Sequence, residues 1–207
     1  NRHSTLTVMT NGGGAGVMAA DAAAREGVTL ADPSTNLLAR LDAVLPANWS
    51  HVNPIDIIGD APVERYAQTL SALLADESAG AVLFMHAPTA IVRSEDIARA
   101  CLPLVRSHAS RVMSTWLGDN AVAQARKLFE DAGVADYATP EEAVHAFAML
   151  QTYRRNQQTL METPSASRNA APDGASVRAT LAAAMAEGRE WLGEQEAKAL
   201  LQAYGIE

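Results

Sequence analysis

Residues 80–87, GAVLFMHA, constrain the fold of this chain more than any other segment because they are almost entirely apolar. A strand with one face in solvent alternates apolar and polar side chains, whereas a continuous apolar run predicts a strand buried on both faces. Such strands are typical of parallel sheets that helices cover on both sides. The segment therefore predicts the central strand of an α/β domain.

Extended patterns alternate with helical patterns along most of the chain. Five extended segments are predicted, at residues 5–10, 51–60, 80–87, 111–118 and 134–138. Helical periodicity separates them and continues after the last of them to residue 158. This alternation predicts a three-layer α/β domain over residues 1–160, flavodoxin-like or Rossmann-like, with a five-stranded parallel sheet and right-handed crossovers.

The composition changes after residue 160. Residues 161–176 are mostly small and polar and contain prolines, which is typical of a linker. Residues 177–207 show two helical patterns that are too short to form a core of their own. The chain begins at Asn1 within the approach to a strand and stops directly after a helical pattern. We therefore expect the sequence to be a piece of a longer protein.

Charge and composition limit the partners of the chain. Sixteen Lys and Arg residues against 24 Asp and Glu residues give a net charge of −8, which disfavours nucleic acid and anionic membranes. The single cysteine, Cys101, lies in an apolar helical pattern and is predicted to be a buried thiol, and the absence of a disulfide framework agrees with a cytoplasmic location. No histidine stands in a spacing typical of a metal site or a catalytic triad, so neither is predicted.

A glycine loop follows the first predicted strand. It comprises Asn11, Gly12, Gly13, Gly14, Ala15 and Gly16, and an alanine-rich helix, predicted over residues 15–26, follows it. The first N–H groups of a helix lack intrahelical acceptors and carry the positive end of the helix dipole, so the loop is a candidate site for phosphate or carboxylate. A tight turn without a ligand is the alternative.

A second loop reaches the same edge of the predicted sheet. It contains Asn53, Pro54, Asp56 and Gly59, and the proline fixes the orientation of its neighbours. Beside a phosphate site, Asp56 could accept a hydrogen bond from the imidazole N–H of a partner, or it could cap the neighbouring helix. The sequence leaves both roles open.

The glycine loop also permits a dinucleotide-binding hypothesis. Residues 14–19 satisfy G-x-G-x-x-A after a strand, and Asp32 follows at about the distance expected of an acidic residue that binds ribose. A dinucleotide-binding oxidoreductase module is therefore an alternative function. Against it, residues 28–32 are poor in strand-forming residues, and the stronger second strand contains NPID at residues 53–56.

Four motifs in this order resemble the NDP-forming acyl-CoA synthetases, relatives of succinyl-CoA synthetase. They are VMTNGGGAGVMAADAAAREG (8–27), LPANWSHVNPIDIIGDAPVERY (45–66), ATPEEAV (138–144) and LGEQEAKALLQAYGIE (192–207). The resemblance implies the second flavodoxin-like domain of such an enzyme, followed by a linker and the opening helix of an ATP-grasp domain. The partners that it implies are the preceding CoA-binding and histidine-bearing domains and the rest of the ATP-grasp domain.

The resemblance also implies a mechanism. Acyl-CoA, phosphate and NDP are interconverted with free acid, CoA and NTP through an acyl phosphate and a phosphohistidine, which is held between the N-termini of two helices. Residues 11–16 match the helix terminus that this domain contributes, and Asn53, Pro54, Asp56 and Gly59 are expected to support it. The histidine belongs to a preceding domain, so no catalytic residue is expected in this chain, and the chain alone should be inactive.

The expected cofactors are ATP or ADP with Mg²⁺, and CoA, in the full-length protein, with none bound tightly to this chain. The family also includes bifunctional proteins in which an acetyltransferase domain is fused to a synthetase-like region that senses acyl-CoA. That sensor is an alternative to catalysis, since neither the histidine nor a fused domain lies within this sequence.

Overall fold

The computed structural model describes residues 4–162 and 174–206. The chain divides into two compact units, Asn1–Thr159 and Leu160–Glu207. The strands of the first unit are β1 (Leu6–Thr10), β2 (Ile55–Asp56), β3 (Ala81–His86), β4 (Val112–Trp116) and β5 (Ala135–Asp136). The helices that begin in it are α1 (Gly13–Glu26), α2 (Thr35–Asp42), α3 (Val63–Leu74), α4 (Ser94–Ser107), α5 (Ala123–Glu130) and α6 (Pro140–Met161).

The strands form one parallel sheet in the order β2-β1-β3-β4-β5. This confirms the predicted five-stranded α/β fold. β1 pairs with β3 along its whole length, from Leu6 opposite Ala81 to Thr10 opposite Met85. The outer strands β2 and β5 have two residues each and are shorter than their sequence patterns predict.

The side chain of Asn53 explains why β2 is short. Its Oδ1 accepts a hydrogen bond from the Val8 N–H at 3.0 Å, and its Nδ2 donates to the carbonyl oxygens of Leu6 and Ala31 at 2.9 Å each. The Asn53 amide therefore takes the place of a backbone partner along the first half of β1. Pro54 comes next and has no N–H to donate, so backbone pairing begins only after it.

β3 is buried on both faces, as its sequence predicts. Val82 and Phe84 belong to a core cluster that includes side chains of α2, α3, α4 and α5. Leu83 and Met85 belong to a second cluster with side chains of α1 and α6. All four side chains are at most 1% exposed, which places β3 at the centre of three layers.

The second unit contains α7 (Gly174–Ala186) and α8 (Glu194–Ala203). Between them, Arg189 forms ion pairs with Glu187 at 2.7 Å and with Glu196 at 2.9 Å. Hydrogen bonds from Arg189 and from the Gly193 N–H lower the pKa of Glu196 to about 2. Of the predicted linker 161–176, Met161 ends α6 and residues 174–176 begin α7, whereas residues 163–173 lie outside the described part of the chain.

Residues 4–162 and 174–206 contain no helix that is both long and apolar enough to cross a membrane, and no group of three or more His, Cys, Asp or Glu residues arranged to hold a metal ion. Cys101 is a free, fully buried thiol, as predicted. Burial raises the pKa of this thiol to about 12.

Three buried side chains form a hydrogen-bonded chain at the carboxyl end of β3. His86 is 0% exposed, with its Nδ1 3.0 Å from the Tyr66 hydroxyl and its Nε2 3.0 Å from the Ser94 hydroxyl. Because burial disfavours the charged ring, the pKa of His86 is lowered to about 4. The neutral ring thus joins the end of β3 to α3 and to the first residue of α4.

We expect acid to weaken this fold in a defined pH window. A histidine in the unfolded chain titrates near pH 6.5, whereas folded His86 titrates near pH 4, so the unfolded state binds more protons between these values. The free energy of unfolding should therefore fall by about 3 kcal/mol between pH 7 and pH 4 through this residue. Urea unfolding at several pH values measures the loss.

The matched variant for this test is His86→Gln, which keeps polar groups in the same place but does not titrate. Its free energy of unfolding should depend less steeply on pH between 6.5 and 4 than that of the wild-type chain. Identical slopes in the two proteins would contradict the assignment of the effect to His86.

Candidate functional site at the start of helix α1

α1 begins inside the glycine loop, two residues before the predicted start at Ala15. Gly12 is the N-cap residue, its N–H donates to the Thr10 hydroxyl at 3.0 Å, and its carbonyl accepts from the Gly16 N–H at 3.1 Å. The N–H groups of residues 13–15 precede this first helical bond, and none has an acceptor in the described part of the chain. Three backbone donors therefore remain available at the positive end of α1.

The sequence prediction placed the helix start too late for a physical reason. Glycine disfavours helix interiors, so the glycines at 13 and 14 were expected to lie in the loop. In the first turn, however, no intrahelical N–H bond is required, and glycine is tolerated there. Gly13 and Gly14 are consequently the first two helical residues, and both are exposed.

The glycines of the loop have different roles. A Cβ on Gly16 would lie 3.1 Å from Thr10 Cγ2 and 3.3 Å from Pro54 Cβ, so α1 crosses its neighbours too closely for a larger residue. A Cβ on Gly14 would meet no atom within 4 Å. Packing therefore favours glycine at 16 but leaves room at 14, where glycine leaves the backbone donors open to a ligand.

Asn11 lies at the site but its side chain is occupied by the protein. Its Nδ2 donates to the Ala87 carbonyl at 2.9 Å, and its Oδ1 accepts from the Ala87 N–H at 2.8 Å. The side chain is buried, and these two bonds continue the β1–β3 pairing by one step. Asn11 therefore positions the loop, and its side chain is not oriented as a ligand contact.

Three of the four residues of the predicted supporting loop lie beside the glycine loop or the first turns of α1. Pro54 packs on Gly16, and the Gly59 Cα lies close enough to the loop that a Cβ there would be 3.6 Å from the Asn11 carbonyl oxygen. Asn53 points instead to the amino-terminal half of β1. The structure thus brings Pro54, Asp56 and Gly59 to the glycine loop and gives Asn53 a role in the sheet.

Asp56 is the one charged residue among those predicted for the site, and it lies beside the first turn of α1. Its Oδ2 lies 3.1 Å from the position that a Cβ on Gly13 would occupy. Its Oδ1 accepts a hydrogen bond from the Ile58 N–H at 2.9 Å, in the same loop. No side chain among the described residues accepts a hydrogen bond from the first turn of α1, so Asp56 does not cap this helix.

Two residues that organise the site were not identified from the sequence. The Thr10 hydroxyl holds the Gly12 N–H, and the Ala87 backbone holds Asn11. A threonine hydroxyl that accepts a hydrogen bond from the N–H two residues later forms a recognised turn. The contact between Thr10 and Gly12 could therefore have been predicted from the local sequence. The second joins residues 76 positions apart, and no local pattern reveals it.

The position of Asp32 argues against the dinucleotide-binding alternative. The strand beside β1 at the glycine-loop end is β2, at Ile55–Asp56, as the NPID pattern predicts. The segment before Asp32 makes one isolated bridge, from Leu30 to Leu6 at the opposite end of β1. Asp32 therefore does not end a strand beside the glycine loop, as a ribose-binding residue would.

Comparison with known proteins shows the family of this chain. The Ligase-CoA domain family matches residues 6–161. The chain belongs to this family. Acetate–CoA ligase [ADP-forming] I of Archaeoglobus fulgidus is 34% identical over 150 residues, which cover 72% of this chain. The 4-hydroxybutyrate–CoA ligase [ADP-forming] of Nitrosopumilus maritimus is 23% identical over 201 residues, or 97% of this chain.

The fold is also shared with a solved structure. Acetyl-coenzyme A synthetase 1 of Ca. Korarchaeum cryptofilum, described as dinucleotide-forming, aligns with a TM-score of 0.72 and 30% identity over 79% of this chain. The same protein has been solved with phosphate and ADP. The chain covers 21% of the Archaeoglobus relative, 28% of the Nitrosopumilus relative and 36% of the Korarchaeum chain, so it corresponds to one part of these larger ligases.

We expect the two glycines to respond oppositely to the same substitution. Gly16→Val should lower the free energy of unfolding by about 1–3 kcal/mol because the added carbons overlap Thr10 and Pro54. Gly14→Val should change it by less than about 0.5 kcal/mol because its side chain enters open space. Urea unfolding of both variants measures the difference, and equal losses would contradict the packing described for α1.

Proposed function

We propose that this Ligase-CoA domain binds the phosphoryl group of a phosphohistidine. The phosphohistidine itself belongs to another domain of an NDP-forming acyl-CoA ligase. The observation that carries the proposal is the set of three N–H groups, at residues 13–15, that lack acceptors within the described residues at the start of α1. Such a helix start binds phosphate through hydrogen bonds and through the helix dipole. Gly14 leaves the approach to these donors open.

The relatives support this choice of ligand and reaction. Both the Archaeoglobus and the Nitrosopumilus proteins are named ADP-forming CoA ligases, and the Korarchaeum structure holds phosphate and ADP. In the proposed reaction, ADP or ATP with Mg²⁺, CoA, phosphate and acyl-CoA are used by the full-length protein. This chain contributes the cradle, Gly12 to Gly16, and Asn11 and the loop of Pro54, Asp56 and Gly59 hold that cradle in place.

The energetics require other domains. One helix terminus stabilises an anion by up to about 2 kcal/mol in a partly buried geometry, which is far less than acyl-phosphate chemistry requires. The remaining stabilisation would come from the CoA-binding and histidine-bearing domains and from an ATP-grasp domain, into which residues 177–207 would lead. The isolated chain should therefore fold but form no acyl-CoA from acid, CoA and ATP.

The test substitutes Gly14 in the full-length protein with a charged residue and with its neutral isostere. Gly14→Asp places a carboxylate against the incoming phosphoryl group and should lower histidine phosphorylation by ATP about tenfold or more. The asparagine of Gly14→Asn has nearly the same volume as aspartate but no charge, so this variant should retain more histidine phosphorylation than Gly14→Asp. The measurement is the rate of acid-labile protein phosphorylation, with folding checked by thermal unfolding.

Two results would contradict the proposal. In one, Gly14→Asp and Gly14→Asn phosphorylate histidine at the wild-type rate, which would mean that the phosphoryl group does not approach α1. In the other, ATP phosphorylates no histidine of the full-length protein, which would remove the ligand that the cradle is proposed to hold.

A further inference from the structure

The glycine loop contains an Asn-Gly pair, Asn11 and Gly12, and no other asparagine of the sequence precedes a glycine. In such a pair the backbone nitrogen of the glycine reaches the side-chain amide easily, because glycine has no Cβ to hinder the approach. The Gly12 nitrogen attacks the Asn11 Cγ, the bond between Cγ and Nδ2 breaks, and ammonia leaves with the proton that Gly12 loses. Water then opens the cyclic imide to aspartate or isoaspartate, which completes a deamidation.

Hydrogen bonds hold this pair in a geometry that opposes the attack. Asn11 is 3% exposed, its Nδ2 donates to the Ala87 carbonyl at 2.9 Å, and its Oδ1 accepts from the Ala87 N–H at 2.8 Å. The side-chain amide therefore cannot rotate toward Gly12 unless both bonds to Ala87 break. The Gly12 N–H donates to the Thr10 hydroxyl at 3.0 Å, and this bond stabilises the proton that the reaction must remove.

The products of deamidation do not fit the place that Asn11 occupies. Aspartate at this position would set a carboxylate oxygen against the Ala87 carbonyl oxygen, where the Nδ2 now donates, and a buried charge without a donor is costly. Isoaspartate would add one carbon atom to the backbone before Gly12, the N-cap residue of α1. Either product would therefore displace the start of α1.

We propose that Asn11 is a deamidation site that the fold holds closed, and that local opening of its bonds to Ala87 and of the bond between Gly12 and Thr10 controls the reaction. Local openings of this kind cost less than global unfolding and occur in the folded state. Water is the one co-reactant, so each opening exposes the loop to a permanent loss of its geometry. The inference does not depend on what the glycine loop binds.

Deamidation rates of the complete 207-residue chain test the proposal, measured at mildly alkaline pH in buffer and in concentrated guanidinium chloride. Trypsin releases residues 3–25 as one peptide in which Asn11 is the only asparagine and glutamine is absent, so mass spectrometry assigns the change in mass to Asn11. We expect the unfolded chain to react about a hundredfold faster than the folded chain. Gly12→Ala should slow the reaction of the unfolded chain, because its methyl group hinders the attacking nitrogen.

Two threonine variants of β1 show whether the opening is local. Thr10→Val removes the acceptor of the Gly12 N–H with little change in volume and should speed deamidation of the folded chain about fivefold, the effect of one lost hydrogen bond. Thr7→Val is the matched control, since the Thr7 hydroxyl is also buried and donates to the Ala79 carbonyl at 2.7 Å, away from Asn11. It should change the rate less than about twofold. Each folded rate is divided by the rate of the same variant in guanidinium chloride.

Three results would overturn the proposal. Equal rates in the folded and unfolded chains would mean that the contacts of Asn11 give no protection, and an unreactive Asn11 in guanidinium chloride would mean that it is not a deamidation site. Equal acceleration by Thr7→Val and Thr10→Val would mean that the reaction follows general loss of stability and not local opening. The variant Asn11→Asp, which is one of the two products, should also melt below the wild-type chain, and an unchanged melting temperature would contradict the misfit described for that product.

Discussion

β1 pairs with β3, and the side chain of Asn11 continues this pairing beyond the last paired residues. These contacts determine where the glycine loop leaves the sheet. Both polar groups of the Asn11 amide are bonded to the Ala87 backbone, and the chain turns into α1 at the next residue, Gly12. The Thr10 hydroxyl then holds the Gly12 N–H, and α1 begins at the next residue. The orientation of three free N–H groups follows from these few contacts.

The polar groups near this site divide into those that the protein pairs and those that it leaves unpaired. Asn11, Asn53 and Thr10 are fully engaged with backbone groups, which is expected of buried polar side chains. The N–H groups of residues 13–15 and the second oxygen of Asp56 have no partner within residues 4–162 and 174–206. Because three unpaired donors lie side by side at the start of α1, the proposed function rests on them and not on the paired side chains.

The sequence predicted the parts of the fold that depend on periodicity, and it predicted less well the parts that depend on contacts between distant residues. The apolar run at 80–87 correctly indicated a strand buried on both faces. The length of β2 was overestimated because Asn53 replaces backbone pairing with side-chain bonds. The side chain of Asn11 pairs with Ala87, 76 residues away, and no local pattern encodes this contact.

A crystal of the chain soaked in inorganic phosphate tests the central claim most directly. We expect density for one phosphate within hydrogen-bonding distance of the N–H groups of Gly13, Gly14 and Ala15, since these donors have no acceptor in the described part of the protein. The same soak with crystals of Gly14→Asp should leave this position without phosphate. Well-ordered phosphate at other places, with the start of α1 empty in the wild-type crystal, would contradict the account.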